Sequence, residues 1–459
     1  MALVGTPRRQ VRVPLPRTWP ILSIDVVWVL GLNAVVILAM WVRHGGLDDL
    51  GAAGAIPTAI GQLTGLYAAY LALIQLVLMS RSPWLDQVFG MDRLAWAHRW
   101  LGFATVWLIV AHGIFTITGY AFGDGRGIID ELWVLETTYA WVLPATIGGI
   151  LFIAIGISSV RAARRALSYE AWFLLHLLAY VAIALGFLHQ LLVGGDFMHD
   201  PVARAYWIVQ FVLAFGLIAA FRLGAPIALN LRHRLTVARV VREGPGLTSI
   251  YVTGRELQRL AVRSGQYFVW RFLDGHGWWH GHPFSLSSAP NGEWLRITVK
   301  ALGDDTRSLQ RLQVGTRVLV EGPYGVLTGA RRRRRKILLI AGGIGIAPLR
   351  ALVESLPAAP GDMTLLYRAR EPKHIVFRDE LDALAKLRGI DVRYLVGRRG
   401  SAEMPKDPLE ARSLRAAVPD IKDRDVYICG PVAMMDRLEA TLRRLGLPRR
   451  HIHAERFAY

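Results

Sequence analysis

Hydrophobic positions run almost unbroken in stretches through the first half of the chain and alternate through the second. Six apolar stretches, at about 21–42, 60–79, 98–118, 139–160, 170–191 and 205–222, each approach the roughly twenty residues that a helix needs to cross a bilayer core. The first is too long for a secretory signal, and no small-residue cleavage site follows it. After Phe221 the pattern changes to short alternating runs at 235–241, 249–252, 266–272, 295–300 and 317–321, set apart by Gly, Pro and Asp turns. These predict a small antiparallel β-barrel. From Lys336 onward, apolar strands at 337–341, 363–367, 391–396 and 426–429 alternate with helices at 347–356, 376–387, 408–417 and 431–445, the pattern of a doubly wound α/β sheet. The expected organisation is multi-domain: a basic N-terminus over 1–20, a six-helix transmembrane bundle over 21–225, a barrel over 230–330 and an α/β domain over 331–459.

Charge orients the spans. Arg8, Arg9, Arg12 and Arg17 precede the first; Arg81, Arg93 and Arg99 fall between the second and third; Arg161, Arg164 and Arg165 follow the fourth. The alternate connections carry Asp48, Asp49, Asp124, Asp130, Glu131, Glu136, Asp196 and Asp200. The positive-inside rule therefore expects both termini on the cytoplasmic side, and the arginine-rich composition suggests a bacterial plasma membrane. The net charge of +19 points to anionic lipid and an anionic nucleotide rather than to nucleic acid, because much of it sits in segments next to the membrane. Cys429 is the single cysteine. That excludes internal disulfides, and it excludes a Cys-ligated iron–sulfur cluster, which needs about four thiolates. The six cations Arg331–Lys336 read either as a solvated linker or as a contact for phosphate or lipid headgroups.

Internal histidines occur in only two spans. His98 and His112 are 14 residues apart in the third, and His176 and His189 are 13 apart in the fifth. At about 1.5 Å per residue, the members of each pair lie roughly 20 Å apart along the helix. Ionisable side chains at membrane depth are functional suspects. Two helices that each offer an imidazole near either face can hold two stacked b-type haems, one through His98 and His176 on the inner side and one through His112 and His189 on the outer. Bis-His ligation leaves no open iron position. Fourteen residues return nearly to the same helix face, whereas 13 leave the imidazoles roughly 140° apart. A distorted turn near Gly186, or haems approached from different sides, would reconcile the second spacing.

The soluble half carries two further motifs. Gly342, Gly343 and Gly345, followed by Pro348, join a strand to a helix where a pyrophosphate can approach the backbone and the helix N-terminus. Upstream, His282-Pro283-Phe284-Ser285 closes a strand; Phe284 offers a face for a flavin ring and Ser285 a hydroxyl near its N5. Cys429-Gly430-Pro431 ends the last strand, where doubly wound sheets hold ligands. Arg368 and Arg370 follow the strand at 363–367, where a 2′-phosphate lies, which favours NADPH over NADH.

With these residues the chain resembles the NADPH oxidase / ferric reductase superfamily over roughly residues 20–459. The resemblance implies a six-helix haem domain fused to a ferredoxin–NADP reductase-like dehydrogenase, with His98, His112, His176 and His189 as haem ligands. It implies that His282, Pro283, Phe284 and Ser285 bind FAD, that Lys300 and Thr306 run along its pyrophosphate, and that Gly342–Pro348 bind NADPH. Cys429 and Gly430 then lie on the nicotinamide side, and an aromatic C-terminal residue, Phe457 before Tyr459, covers the flavin. Ser285, Cys429 and Phe457 are the implied catalytic residues. Electrons would pass from NADPH through FAD and two haems to an external one-electron acceptor, a ferric chelate or dioxygen. Superoxide-forming relatives often carry a histidine one turn after the outer ligand of the third helix, where this chain has Thr116. Arg43, His44 and Gln62 are the polar candidates on the outer face. A polytopic transporter or scaffold with a regulatory nucleotide domain is the rival reading, and it leaves the paired histidines and the flavin motif without a role.

Overall fold

The computed structural model describes residues 22–274, 280–398, 400, 404 and 407–456. Arg8, Arg9, Arg12 and Arg17, together with Phe457 and Tyr459, lie outside the described residues. The chain divides into two compact units between Leu223 and Gly224.

The first unit is helical: α1 (Ser23–Arg43), α2 (Ala55–Met79), α3 (Pro83–Phe89), α4 (Met91–Asp124), α5 (Ile128–Thr138), α6 (Val142–Ser159), α7 (Arg161–Ala166), α8 (Tyr169–Val193), α9 (Gly195–His199) and α10 (Pro201–Ile218). Six helices here are long and apolar enough to cross a membrane, with mean hydropathy from 1.6 to 2.1, so the chain is a multi-pass membrane protein. The short helices α3, α5, α7 and α9 occupy connections that the apolar pattern leaves blank. At 34 residues, α4 is about 50 Å long against a hydrocarbon core of about 30 Å. Arg93 and Arg99, expected in a loop, therefore lie inside α4, whose ends extend past the apolar layer.

Of the spanning helices, α2 is the most enclosed; its Tyr70, Leu73 and Leu76 pack in one cluster with Trp207 and Phe211 of α10. Hydrocarbon offers no water to a buried polar group, so such groups pair between helices. Tyr67 Oη donates to the Ala34 carbonyl at 3.0 Å, Tyr70 Oη to the Leu30 carbonyl at 2.8 Å, and Asn33 Nδ2 to Gln210 Oε1 at 2.6 Å.

The second unit opens with α11 (Ala225–His233), then β1 (Thr236–Gly244), β2 (Leu247–Thr253), β3 (Tyr267–Phe272), β4 (His282–Ser285), β5 (Leu295–Lys300), α12 (Asp304–Ser308) and β6 (Val318–Tyr324). Two antiparallel three-stranded sheets, β1-β2-β5 and β4-β3-β6, are joined by the bridges Thr236 to Arg317 and Leu286 to Ile297. Phe268, Trp270, Ile297 and Val320 fill the barrel. The flavin motif does not merely close a strand; it forms β4. Pro283 argues against a strand on the pattern alone, but β4 is the edge of its sheet, where a missing N–H is tolerated.

The nucleotide sheet follows: β7 (Lys336–Gly342), α13 (Ile346–Ser355), β8 (Met363–Ala369), α14 (Arg378–Arg388), β9 (Asp391–Val396), α15 (Ala411–Ala417), β10 (Arg424–Cys429), α16 (Val432–Arg444) and β11 (Ile452–Ala454). Its five parallel strands are ordered β11-β10-β7-β8-β9. The order reverses between β7 and β10, the position at which such sheets bind ligands. The cation run is neither a free linker nor a bare phosphate contact. The Arg333 and Arg334 backbone N–H groups donate to the buried Asp425 carboxylate. The Arg334 guanidinium binds the Lys422 carbonyl, that of Arg332 binds the carbonyls of Arg334, Arg335 and Pro357, and Lys336 pairs with Asp420 at 2.6 Å. The run ties the start of β7 to its neighbours.

Barrel and sheet are locked by a buried ion cluster. The Arg296 guanidinium, at 3% side-chain exposure, meets Glu380 of α14 at 2.8 Å and also donates to the Ser287 carbonyl. Arg350 of α13 pairs with the same Glu380 carboxylate at 2.8 Å, and Glu354 accepts the Ala289 N–H at 2.8 Å. Burial alone would raise the Glu380 carboxyl, but the hydrogen bonds and charges of Arg296 and Arg350 outweigh it and hold the group below the ordinary carboxylate range. A depressed carboxyl stabilises the fold above its unfolded pKa, and that contribution is lost as pH falls through the folded value. Glu380→Ala strands the buried Arg296 guanidinium, while Arg350 keeps Glu354, so it is expected to cost about 3–5 kcal/mol at neutral pH. It should also blunt the native chain's loss of stability below about pH 4.5. Urea titration of the solubilised chain, read by limited proteolysis at each pH, measures both; a variant as stable as the native chain at pH 7 contradicts the argument.

Candidate functional site

The four membrane histidines meet in two facing pairs between α4 and α8. The His98 and His176 ring centroids are 5.8 Å apart with planes at 70°, and those of His112 and His189 are 6.4 Å apart at 67°. Helix α8 runs unbroken through Gly186, so a distorted turn is not what accommodates the 13-residue spacing. A metal ion bound by two imidazole nitrogens, each at about 2.0 Å, separates the ring centres by roughly 6.3 Å. Both pairs come within about half an ångström of that separation. Among the described residues no three His, Cys, Asp or Glu side chains group as a metal site, so the imidazoles act in twos.

His112 and His189 are oriented by backbone carbonyls. His112 Nδ1 lies 2.8 Å from the Gly61 oxygen and His189 Nδ1 lies 3.2 Å from the Trp141 oxygen. An imidazole that spends one nitrogen on a carbonyl keeps the other for a ligand, the arrangement common around protein-bound metals. The approach of α2 to α4 depends on Gly65, where a Cβ would stand 2.6 Å from His112 Nδ1. The pair opens on a cavity lined by Gly65, Ile109, Gly148, Gly186, Phe187 and Gln190. Such small residues leave room for a flat group between helices. Near the other pair, Gln75 of α2 is 9% exposed and faces Gly102, one turn from His98. Neither of its amide atoms has a partner among the described residues. Both sites therefore suit a bis-imidazole prosthetic group.

Arg43, His44 and Gln62 are each engaged by a neighbouring side chain. His44 Nε2 lies 2.8 Å from the Asp200 carboxylate, Arg43 reaches the same oxygen at 3.8 Å, and Gln62 accepts the Trp41 indole N–H at 2.9 Å. His44, then the backbone N–H of Val202, hold the Asp200 carboxyl below its ordinary range. Thr116 Oγ1 lies 3.4 Å from His112 Nδ1.

In the barrel, β3 pairs with β4 so that Phe268 faces Phe284 and Tyr267 faces Ser285. His282 and Phe284 stack at 5.8 Å with planes only 5° apart. Ser285 Oγ is buried and has no hydrogen-bond partner among the described residues, as expected of a hydroxyl awaiting a ligand. Pro283 pairs with Val269, and Lys300 ends β5. Thr306 is committed to its own turn: its hydroxyl accepts the Leu302 and Gly303 N–H groups at 2.9 and 3.0 Å.

At the switch point of the nucleotide sheet the loops after β7 and β10 converge. A Cβ on Gly345 would stand 2.4 Å from the Cys429 carbonyl, so glycine is required for the contact. Gly342 ends β7, Gly343 turns with φ +55°, and Pro348 sits in the first turn of α13. Gly430 packs against Gly342. Cys429 is buried, and burial, with the nearby Glu455 carboxylate, pushes its thiol up to about 12. Glu455, 5% exposed, lies with its carboxylate against Gly325; the sequence reading missed it because a lone acid after a three-residue strand carries no local signal. Strand β8 runs two residues past its expected end. Arg368 therefore lies inside it, with its guanidinium on the Ala369 and Leu395 carbonyls, while Arg370 is exposed just beyond.

Comparison with known proteins fits this division. Residues 64–187 match the ferric reductase like transmembrane component, 246–328 an FAD-binding domain, and 339–439 an oxidoreductase NAD-binding domain. Ferredoxin–NADP reductase B of Sorangium cellulosum is 34% identical over 195 residues, covering 38% of this chain and 77% of that protein. The glycine betaine monooxygenase reductase subunit of Chromohalobacter salexigens is 25% identical over 240 residues, 50% of this chain and 65% of its own length. Flavohemoprotein A of Dictyostelium discoideum is 29% identical over 48% of this chain and 59% of its own. Among solved structures, the FAD/NAD-binding domain of a Vibrio cholerae nitric oxide dioxygenase aligns with 49% of the chain and 98% of its own at 25% identity, with a TM-score of 0.39. A ferric-reductase-like membrane component followed on one chain by FAD- and NAD-binding domains gives the protein the architecture of the NADPH oxidase / ferric reductase type.

Proposed function

We propose that the protein carries electrons from cytoplasmic NADPH through FAD and two b-type haems to a one-electron acceptor on the far side of a bacterial plasma membrane. The observation that carries this reading is the pair of facing imidazole couples, at 5.8 and 6.4 Å, in a family of membrane reductases. Nicotinamide gives up electrons in pairs and haem takes them singly, so the flavin, which exchanges in both modes, is the necessary converter.

The chain's own residues have distinct tasks in this reading. His98 with His176, and His112 with His189, would each hold one iron between their imidazoles. Phe284 would stack on the flavin, Ser285 would offer it a hydroxyl, and Lys300 and the turn at Thr306 would bind its pyrophosphate. Gly342, Gly343, Gly345 and the start of α13 take the nucleotide pyrophosphate. Cys429 stays a neutral thiol at working pH, and with Gly430 it bounds the nicotinamide from one side; Phe457 is the proposed cover on the flavin. With Arg368 engaged by carbonyls, Arg370 is the better candidate for the 2′-phosphate. The acceptor is a ferric chelate or dioxygen. Thr116, in place of a second outer histidine, weighs toward the ferric chelate.

Three outcomes test the assignments. The purified chain should contain two non-covalent b-type haems, and His98→Leu or His176→Leu should leave one; a native ratio of one or none contradicts the reading. Phe284→Ala should weaken FAD binding about fivefold, since stacking contributes on the order of 1 kcal/mol beyond burial, with haem content unchanged; unaltered FAD occupancy would reassign the motif. Arg370→Ala should raise the Michaelis constant for NADPH at least about tenfold, as lost charge-assisted bonds are worth roughly 1.5–3 kcal/mol. NADH should be hardly affected, and equal losses for both nucleotides would remove Arg370 from the phosphate site.

A further inference from the structure

The two imidazole couples are oriented by different means. His112 and His189 each have Nδ1 against a backbone carbonyl. His98 Nδ1 and His176 Nδ1 are buried and have no partner among the described residues. An imidazole without that second bond is free to turn about its Cβ–Cγ axis unless something packs its face. For His176 that packing comes from Trp172, one turn earlier on α8, with ring centroids 5.0 Å apart and planes at 26°. The i,i+4 spacing brings the two rings over each other on one helix face. Trp172 is itself pinned. Its Nε1–H donates to Ser159 Oγ at the end of α6 at 3.4 Å, and the Arg164 guanidinium of α7 lies over its ring at 4.7 Å. A cation held over an indole is attracted by the ring's negative face, which fixes the indole plane.

We propose that Trp172 is a positioning residue for His176, setting the imidazole plane of the inner couple by stacking, where the outer couple uses carbonyl hydrogen bonds. Arg164 and Ser159 serve this by holding the indole. The proposal rests on the haem reading above. The two sites should then respond differently to the same kind of damage. Loss of Trp172 removes the ring stacked on the face of His176, while His112 and His189 keep their carbonyls.

The test uses the full-length chain in detergent, with haem counted as the pyridine complex and the low-spin ferric signals recorded by electron paramagnetic resonance, which report the angle between axial ring planes. His98→Leu identifies the inner signal by its absence. In Trp172→Leu the inner signal should broaden or shift and the haem ratio should fall from two toward one, with the outer signal unchanged. Trp172→Phe, which keeps a stacking face, should restore both. Two haems and two unaltered signals in Trp172→Leu overturn the proposal, as do equal disturbance of both signals and a phenylalanine variant no better than leucine. If the leucine variant does not accumulate, Arg164→Ala makes the same test with a smaller change: a broadened inner signal supports the proposal and an unaltered one overturns it. A native chain without haem overturns the parent reading too, and the native haem count distinguishes that failure from the others.

Discussion

The membrane half depends on bringing four imidazoles face to face, in two couples, between helices surrounded by hydrocarbon. Nothing there solvates a stray ring nitrogen, so each imidazole needs close neighbours. His112 takes the Gly61 carbonyl, which the close glycine-mediated approach of α2 to α4 allows, and His189 takes the Trp141 carbonyl at the start of α6. In the other couple Trp172 stacks on His176, and the Gln75 amide lies near Gly102, one turn from His98. The enclosure of α2 and the interhelical bonds of Tyr67, Tyr70 and Asn33 follow from the same demand for close, dry packing.

The soluble half answers a different demand, that two ligand-binding layers keep a fixed relation. Ser287 and Ala289, just beyond the flavin motif, are held from the nucleotide sheet through Arg296, Arg350, Glu354 and Glu380. An apolar contact of equal area would hold the layers together but leave their register loose; bidentate charge pairing fixes direction as well. The convergence of Gly345 on the Cys429 carbonyl ties the nucleotide loop to the end of β10 at the switch point.

Much of this was legible in the sequence, and the exceptions share a cause. The six spans, the barrel and the α/β sheet follow from periodicity, and the 14-residue histidine spacing from the helical repeat. The ends of α4 were misjudged because Asp92, Arg93 and Arg99 look like loop charges, although a helix can carry them past the apolar layer. Pro283 hid β4, and three residues were too few to announce β11. The Arg296–Glu380 pair joins positions 84 residues apart, and no local pattern encodes that. The cation run Arg331–Lys336 reads as a linker or a phosphate contact because its charge is visible in the sequence, whereas the carbonyls and Asp425 that engage it are not. Trp172 was within reach, since a tryptophan four residues before a membrane histidine is a legible stacking signal on a helix.

Transfer of electrons across the bilayer is the claim on which the account stands. In sealed vesicles with the nucleotide domain facing outward, NADPH would be added outside and a membrane-impermeant ferric acceptor enclosed within. The account predicts reduction of the enclosed acceptor at a rate that depends on the four membrane histidines. Reduction of an external acceptor alone, with the enclosed one untouched, would contradict it.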